Sequence, residues 1–279
     1  MKPSNIILDL LRTYGQRGTS VQDIASTGRL FGFSDNQIRV TLSRLVSRGV
    51  IEKLERGHYR LCQTTDPVNE FAERWRAGEA RVKPWPKDIW LCIHIARSAL
   101  SEARAERKAD SKAEWALTNH GFIAIDSGFW IRPDNLTTPT PVLKQQLVTL
   151  GLPANAIVIE SAQLDTSLAQ LWLESFDTTA IEARYRDMHE QLEDSLVRLP
   201  ELPIAEAKKD SFELGGRAIQ ILAKDPLLPE TLLSPTSRQQ LWQTMCRYDE
   251  AGRRIWAGQH QPDTTPTSQM HFEISEMAL

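Results

Sequence analysis

Apolar side chains between residues 1 and 47 recur at helical spacing in three separate runs. Ile6, Ile7, Leu10, Leu11 and Tyr14 share one face of a helix that Gly15 ends. Ser20 caps a second helix, with Val21, Ile24 and Ala25 as its apolar face and Gly28 near its end. Phe31-Gly32-Phe33 predicts a turn, and Ser34 with Gln37 predicts a capping box at the start of a third helix. That helix buries Ile38, Leu42, Leu45 and Val46, and its opposite face carries Asn36, Val40, Ser43 and Ser47, flanked by Arg39 and Arg44. Gly49 stops it, and the period falls to two: Val50–Leu54 alternates like a strand, Arg56-Gly57 turns, and His58–Leu61 alternates back. Three helices and a hairpin with a basic tip predict a winged helix-turn-helix domain over residues 1–62.

Beyond it, Phe71 and Trp75 lie at i, i+4 in a short helical pattern from Asp66 to Ala77, and Lys83-Pro84-Trp85-Pro86 breaks any helix. Residues 63–86 therefore read as a linker helix and turn. Asp88–Ala96 is a β-rich apolar run, Ser101–Thr118 a charged helix, Phe122–Ile125 and Phe129–Pro133 strands joined by a turn, Pro141–Leu150 a helix and Ala156–Glu160 a fourth strand. The order β-α-β-β-α-β predicts a ferredoxin-like domain over residues 87–165. Residues 166–258 read as a C-terminal helical domain. One helix carries Ile181, Tyr185, Met188, Leu192 and Leu196, the next runs from Ala207 to Ala223, and the last holds Leu241, Trp242, Met245, Tyr248, Ile255 and Trp256. Residues 259–279, with few apolar positions, read as a mobile tail. The fold class expected is α+β.

Composition changes this picture in one respect. The 279 residues carry 33 Lys and Arg against 36 Asp and Glu, a net charge of −3, which excludes a polycation that coats nucleic acid indiscriminately. The charge is unevenly placed, however: residues 1–61 are +5 and the rest −8. All eight tryptophans fall after residue 74. A small basic module joined to an acidic body suits a regulated nucleic-acid binder. In the major groove, small and amide side chains reach base edges while arginines meet phosphates or guanine. The candidate DNA-contact residues are Ser34, Asn36, Gln37, Arg39, Val40, Ser43, Arg44 and Ser47 on the third helix, with Arg56, His58 and Arg60 on the hairpin. A winged-helix unit also serves as a protein-interaction adaptor, and that alternative stays open.

Cys62, Cys92 and Cys246 lie far apart with no CxxC spacing, against both a disulfide framework and a structural zinc site. No apolar run approaches the ~18 residues of a membrane helix, and Met1-Lys2-Pro3-Ser4-Asn5 leads into an interrupted pattern rather than a signal-peptide core. A cytoplasmic protein with no membrane contact is expected. No nucleophile elbow, P-loop, dinucleotide fingerprint or HExxH is present, and His58, His94, His120, His189, His260 and His271 show no metal-ligand spacing. The expectation is a non-enzyme with no cofactor and no metal.

The run Gly32-Phe33-Ser34-Asp35-Asn36-Gln37-Ile38-Arg39-Val40-Thr41-Leu42-Ser43-Arg44-Leu45-Val46-Ser47-Arg48-Gly49 resembles the recognition helix of the phenylacetate-catabolism repressors of the PaaX type, with Arg39, Arg44, Leu45 and Gly49 on the family's positions. Gly121-Phe122 with Gly128-Phe129-Trp130-Ile131-Arg132-Pro133, and Asp225-Pro226-Leu227-Leu228-Pro229, are similar to two further stretches of that family. Ser234-Pro235-Thr236-Ser237 replaces its usual Trp-Pro-Gly. The resemblance spans about residues 5–258. It implies a homodimeric repressor of an aromatic-compound catabolic operon, bound to double-stranded DNA at an inverted repeat and released by a small-molecule effector, an aryl-CoA thioester. It implies a Cas2-like form of the ferredoxin-like domain, which raises a metal-dependent nuclease as an alternative. Asp88 stands where such nucleases hold metal, but no second carboxylate follows on that strand. An aryl-CoA needs an aromatic slot and cations for its phosphates. Trp90, Trp130 and Trp172 are the candidates for the slot, and Arg97, Arg132 and Arg217 for the phosphates.

Overall fold

A computed structural model describes residues 2–54, 57–62, 70–71, 73–86, 89–96, 104–126 and 128–257. Helices and two antiparallel sheets make the chain an α+β protein. It divides into two compact units. One takes its described residues from 1–73, 188–220 and 243–257, the other from 74–187 and 221–242. Residues 166–258, expected to be a separate helical domain, thus contribute to both units.

In the first unit, α1 (Pro3–Tyr14), α2 (Val21–Leu30) and α3 (Asp35–Ser47) begin where their caps require. Pro3 opens α1 at a position where its missing N–H costs nothing. Ser20 Oγ accepts from the Asp23 N–H at 3.1 Å. Ser34 and Gln37 form the expected capping box, the Ser34 N–H donating to Gln37 Oε1 at 2.8 Å. Ile6, Ile7, Leu10, Leu11, Ile24, Ile38, Leu42 and Leu45 are buried together with Ile51. Val46, expected in that stripe, is 38% exposed. Strands β1 (Thr19–Ser20), β2 (Ile51–Lys53) and β3 (His58–Leu61) form an antiparallel sheet in the order β1-β3-β2. The short β1 has no period-2 pattern of its own.

The second unit holds β4 (Trp90–His94), β5 (Ile123–Asp126), β6 (Phe129–Pro133) and β7 (Ile157–Ala162) in the antiparallel order β5-β6-β4-β7. Helices α4 (Arg104–Thr118), α5 (Thr140–Leu150) and α6 (Thr166–Glu174) belong with them. Side chains alternate between the faces of a sheet. Leu91, Ile93 and Trp130 therefore pack with Ala116 and Leu117 of α4 and Leu143 and Leu147 of α5. Trp90, Cys92 and Ile131 pack on the other side with Trp172 of α6 and Leu228. Burial on both faces is why the β4 sequence reads as an unbroken apolar run.

Three longer helices, α7 (Thr178–Arg198), α8 (Ile204–Ala223) and α9 (Thr236–Ala257), complete the described residues. The segment after α8 enters the sheet core, with Leu227 in one cluster and Leu228 in the other. Leu227 adopts φ 53°, the one positive φ outside glycine among the described residues. Asp225 holds it, accepting from the Leu227 N–H at 2.7 Å, while Asn135 Nδ2 donates to the Leu227 carbonyl at 2.8 Å.

Residues 74–86 are not a free linker. Arg74–Arg81 is 3-10 helical on either side of a kink at Gly78 (φ 50°), Trp75 and Arg81 are buried, and Val82 bridges to Leu136. Its arginines answer a need of the helices, whose last carbonyls lack intrahelical partners. Arg74 donates to the Asn119 and Ala223 carbonyls and Arg81 Nη1 to the Leu222 carbonyl at 3.2 Å. Positive charge at the C-termini of α4 and α8 also opposes their dipoles. Most of the helix expected from Asp66, and the tail from 259, lie outside the described residues.

Candidate nucleic-acid interface

The core-facing stripe of α3 leaves Asn36, Arg39, Val40, Ser43, Arg44 and Ser47 exposed on its outer side, as the helical period requires. Asn36, Arg39, Ser43 and Arg44 make no side-chain hydrogen bond or ion pair among the described residues. Val40, 43% exposed, gives this polar face an apolar centre, the kind of group that meets a thymine methyl. The other candidates on α3 are partly committed. Ser34 and Gln37 are engaged with each other in the cap, and Ser47 Oγ donates to the Arg44 carbonyl at 2.9 Å. Arg48, not singled out from the sequence, is also exposed and free of ion pairs among the described residues. Its i+4 spacing from Arg44 places it on the same side and was the available signal.

The sheet places the hairpin next to α2, where the Val21 N–H donates to the Gly57 carbonyl at 2.7 Å. Glu52 stands opposite Arg60 in the β2–β3 register, and Arg60 Nε donates to Glu52 Oε1 at 2.7 Å. Arg60 is thereby neutralised in place. His58 and Lys53 are exposed, and Arg56 lies outside the described residues. Arg29 at the end of α2 pairs with Asp35 at 2.6 Å. Among the described residues, the unpaired cations on the outer side of α3 are therefore Arg39, Arg44 and Arg48.

The residues expected to bind an effector do not form one site. Trp130 lies on one face of the sheet, whereas Trp90 and Trp172 lie on the other. The cause is register: Trp130 pairs with Ile93, so it points with Ile93 and away from Trp90. Trp90 and Trp172 stack edge to face at 5.6 Å as core, and Trp85 and Phe176 extend the row. Arg132 is 1% exposed and is no phosphate ligand. Its guanidinium donates to Pro133 O at 3.0 Å, to Asn135 Oδ1 at 2.8 Å and to the His120 carbonyl. Burial pushes its pKa down, as it does that of His120, whose Nδ1 lies 2.7 Å from the Ala116 carbonyl. Arg217 is exposed on α8 in the first unit, while the tryptophans belong to the second. Arg97 and Asp88 lie outside the described residues.

Among the described residues no group of three or more His, Cys, Asp or Glu side chains converges as a metal site. No helix there is long and apolar enough to cross a membrane.

No family model matches the chain, and no curated protein matches it. Among solved structures it is similar to the uncharacterized protein Rv0674 from Mycobacterium tuberculosis, at 18% identity and a TM-score of 0.54. That similarity covers 91% of this chain and 99% of the other, so it is a likeness of fold along nearly the whole length.

Proposed function

We propose that the chain is a DNA-binding transcriptional repressor of the PaaX type, with α3 as recognition helix and β2–β3 as the wing of a winged helix-turn-helix. The observation that carries this reading is the outer face of α3. Asn36, Arg39, Val40, Ser43 and Arg44 stand exposed on one rigid, doubly capped helix, with none of the polar members engaged among the described residues. A recognition helix needs its polar side chains clear of partners within the chain, and Arg39, Arg44 and the neighbouring Arg48 meet that need among the described residues. The strand order β5-β6-β4-β7, with α4 following β4 and α5 following β6, supports a ferredoxin-like reading of the second unit. Two copies of the chain would place two α3 helices on the half-sites of an inverted repeat. An aryl-CoA effector rests on the family resemblance alone, and Trp90, Trp130, Trp172 and Arg132 are core residues rather than its pocket.

Selection of random duplexes by the full-length protein tests the reading. The expected product is an inverted repeat whose half-sites lie one helical turn or a multiple apart. Asn36→Ala should relax preference at one position of each half-site and cost about 1–3 kcal/mol. Recovery of no enriched sequence would overturn sequence-specific binding and favour the adaptor reading.

A further inference from the structure

The first unit contains a buried charge that the DNA-binding reading does not use. Lys208 on α8 is 0% exposed, and its Nζ has no hydrogen-bond partner among the described residues. The ammonium sits 5.3 Å from the ring of Trp256, in the last turn of α9. A cation over an indole gains attraction from the ring quadrupole, but the ring satisfies none of its three N–H donors. Desolvation lowers the Lys208 pKa to about 8. A buried ammonium without an acceptor is a standing cost to the fold, and a methionine of similar shape would remove it.

The surroundings are aromatic. Trp256 Nε1 donates to Ser211 Oγ at 3.3 Å, which fixes the indole over the helix turn that carries Lys208. The Phe212 ring lies 6.4 Å from Trp256 and 5.1 Å from Phe31. Phe31 is the residue that follows α2, in the turn leading to the Ser34 cap of α3.

We propose that Lys208 anchors a binding site for a small aromatic carboxylate, whose anionic end takes the empty donors of Nζ and whose ring lies among Phe31, Phe212 and Trp256. One isolated cation matches one negative charge, and a carboxylate offers two acceptors to a cluster of N–H donors. Aromatic walls favour a flat apolar body over a hydrated inorganic anion. A coenzyme A thioester fits this place poorly, because its acyl end is uncharged and its several phosphates would meet a single cation. Because Lys208 and Trp256 are both buried, entry requires the Trp256 ring to swing away and its bond to Ser211 to break. Ligand binding then bears on Phe212 and through it on Phe31, so the turn that aims α3 feels the occupant. Only this last consequence rests on the DNA-binding reading.

The test uses the full-length protein without DNA, with benzoate as the probe and acetate and inorganic phosphate as comparisons. Trp256 is the one tryptophan of the first unit, so subtracting the emission of Trp256→Phe isolates its signal. Benzoate should change that signal saturably. At ten times its Kd it should raise Tm by about 2–3 °C, from mass action and the size scaling of Tm. Acetate and phosphate should do neither at the same concentration. Lys208→Met should melt above the wild type without ligand and show no benzoate shift. Should Lys208→Met fail to fold, Lys208→Gln takes its place with the same expected loss of shift. An equal benzoate response in the Lys208 variant, an equal response to acetate or phosphate, or no saturable response to benzoate up to solubility would each overturn the site. A normal benzoate response in a protein that selects no DNA would retain the site and remove its link to α3.

Discussion

Substituting Gly18 by alanine should unfasten the hairpin from the helices, and Gly15 supplies the control. Both glycines occupy backbone that side chains disfavour, Gly15 at φ 55°, ψ −134° and Gly18 at φ 65°, ψ −172°. Forcing alanine into such a conformation costs about 1–3 kcal/mol in either place. Their surroundings differ. A Cβ on Gly15 meets nothing within 4 Å, whereas one on Gly18 would lie 2.2 Å from the Tyr59 carbonyl oxygen. That oxygen belongs to β3 and cannot rotate aside, so β1 and β3 must part by about 1 Å to restore an ordinary contact. Separation weakens the pairing of Thr19 with Tyr59 and Ser20 with His58, at roughly 0.5–1.5 kcal/mol for each hydrogen bond lost. Two such bonds add about 1–3 kcal/mol to the strain. Gly18→Ala should therefore cost about 2–6 kcal/mol and Gly15→Ala about 1–3. Urea unfolding of both variants followed by far-UV circular dichroism measures the difference. Equal losses, or a Gly18→Ala protein as stable as the wild type, would refute the pairing of β1 with β3 and the placement of the β2–β3 hairpin that depends on it.

Two further outcomes follow from the buried basic side chains of the second unit. Arg132→Met should destabilise by about 3 kcal/mol or more, because the His120 and Pro133 carbonyls and Asn135 Oδ1 lose their donor while buried; a loss below 1 kcal/mol in urea would contradict the assigned bonds. His120 is held well below its ordinary pKa of 6.5 by desolvation and then by Arg74, so below about pH 6.5 the unfolded chain takes a proton that the folded one refuses. Stability should fall as pH drops through that range, and His120→Gln should flatten the fall; identical pH dependence in the two proteins would contradict a buried neutral imidazole.

Local signals in the sequence carried further than long-range ones. Ser34 and Gln37 name the start of α3 without knowledge of the fold, since a cap is satisfied within one turn. The order of strands and helices in the second unit is likewise written in local periodicity. Val46 misled because it stands about 80° round the helix from Ile38, at the margin where burial depends on what packs alongside. Trp130 misled for a different reason. Which face it takes depends on its pairing with Ile93, and register is a relation between strands that neither strand states alone. Arg132 looked like a surface phosphate ligand because its acceptors, the His120 carbonyl and Asn135, become neighbours only once the sheet forms. Lys208 gave no sign at all, since a lysine is set apart only by what fails to surround it.

The claim on which the account turns is that the outer face of α3 binds duplex DNA. Its most direct measurement is fluorescence anisotropy of a labelled duplex from upstream of the protein's own coding sequence, against a scrambled duplex, over a series of salt concentrations. The wild type should prefer the upstream duplex by about 10³-fold or more. Arg39→Ala/Arg44→Ala should abolish most of that preference while leaving the Tm unchanged, because both side chains are exposed and unpaired among the described residues. Its salt slope should fall by up to about 0.9 for each arginine that contacts phosphate rather than base. A double variant that binds both duplexes with wild-type affinity and slope would contradict the claim.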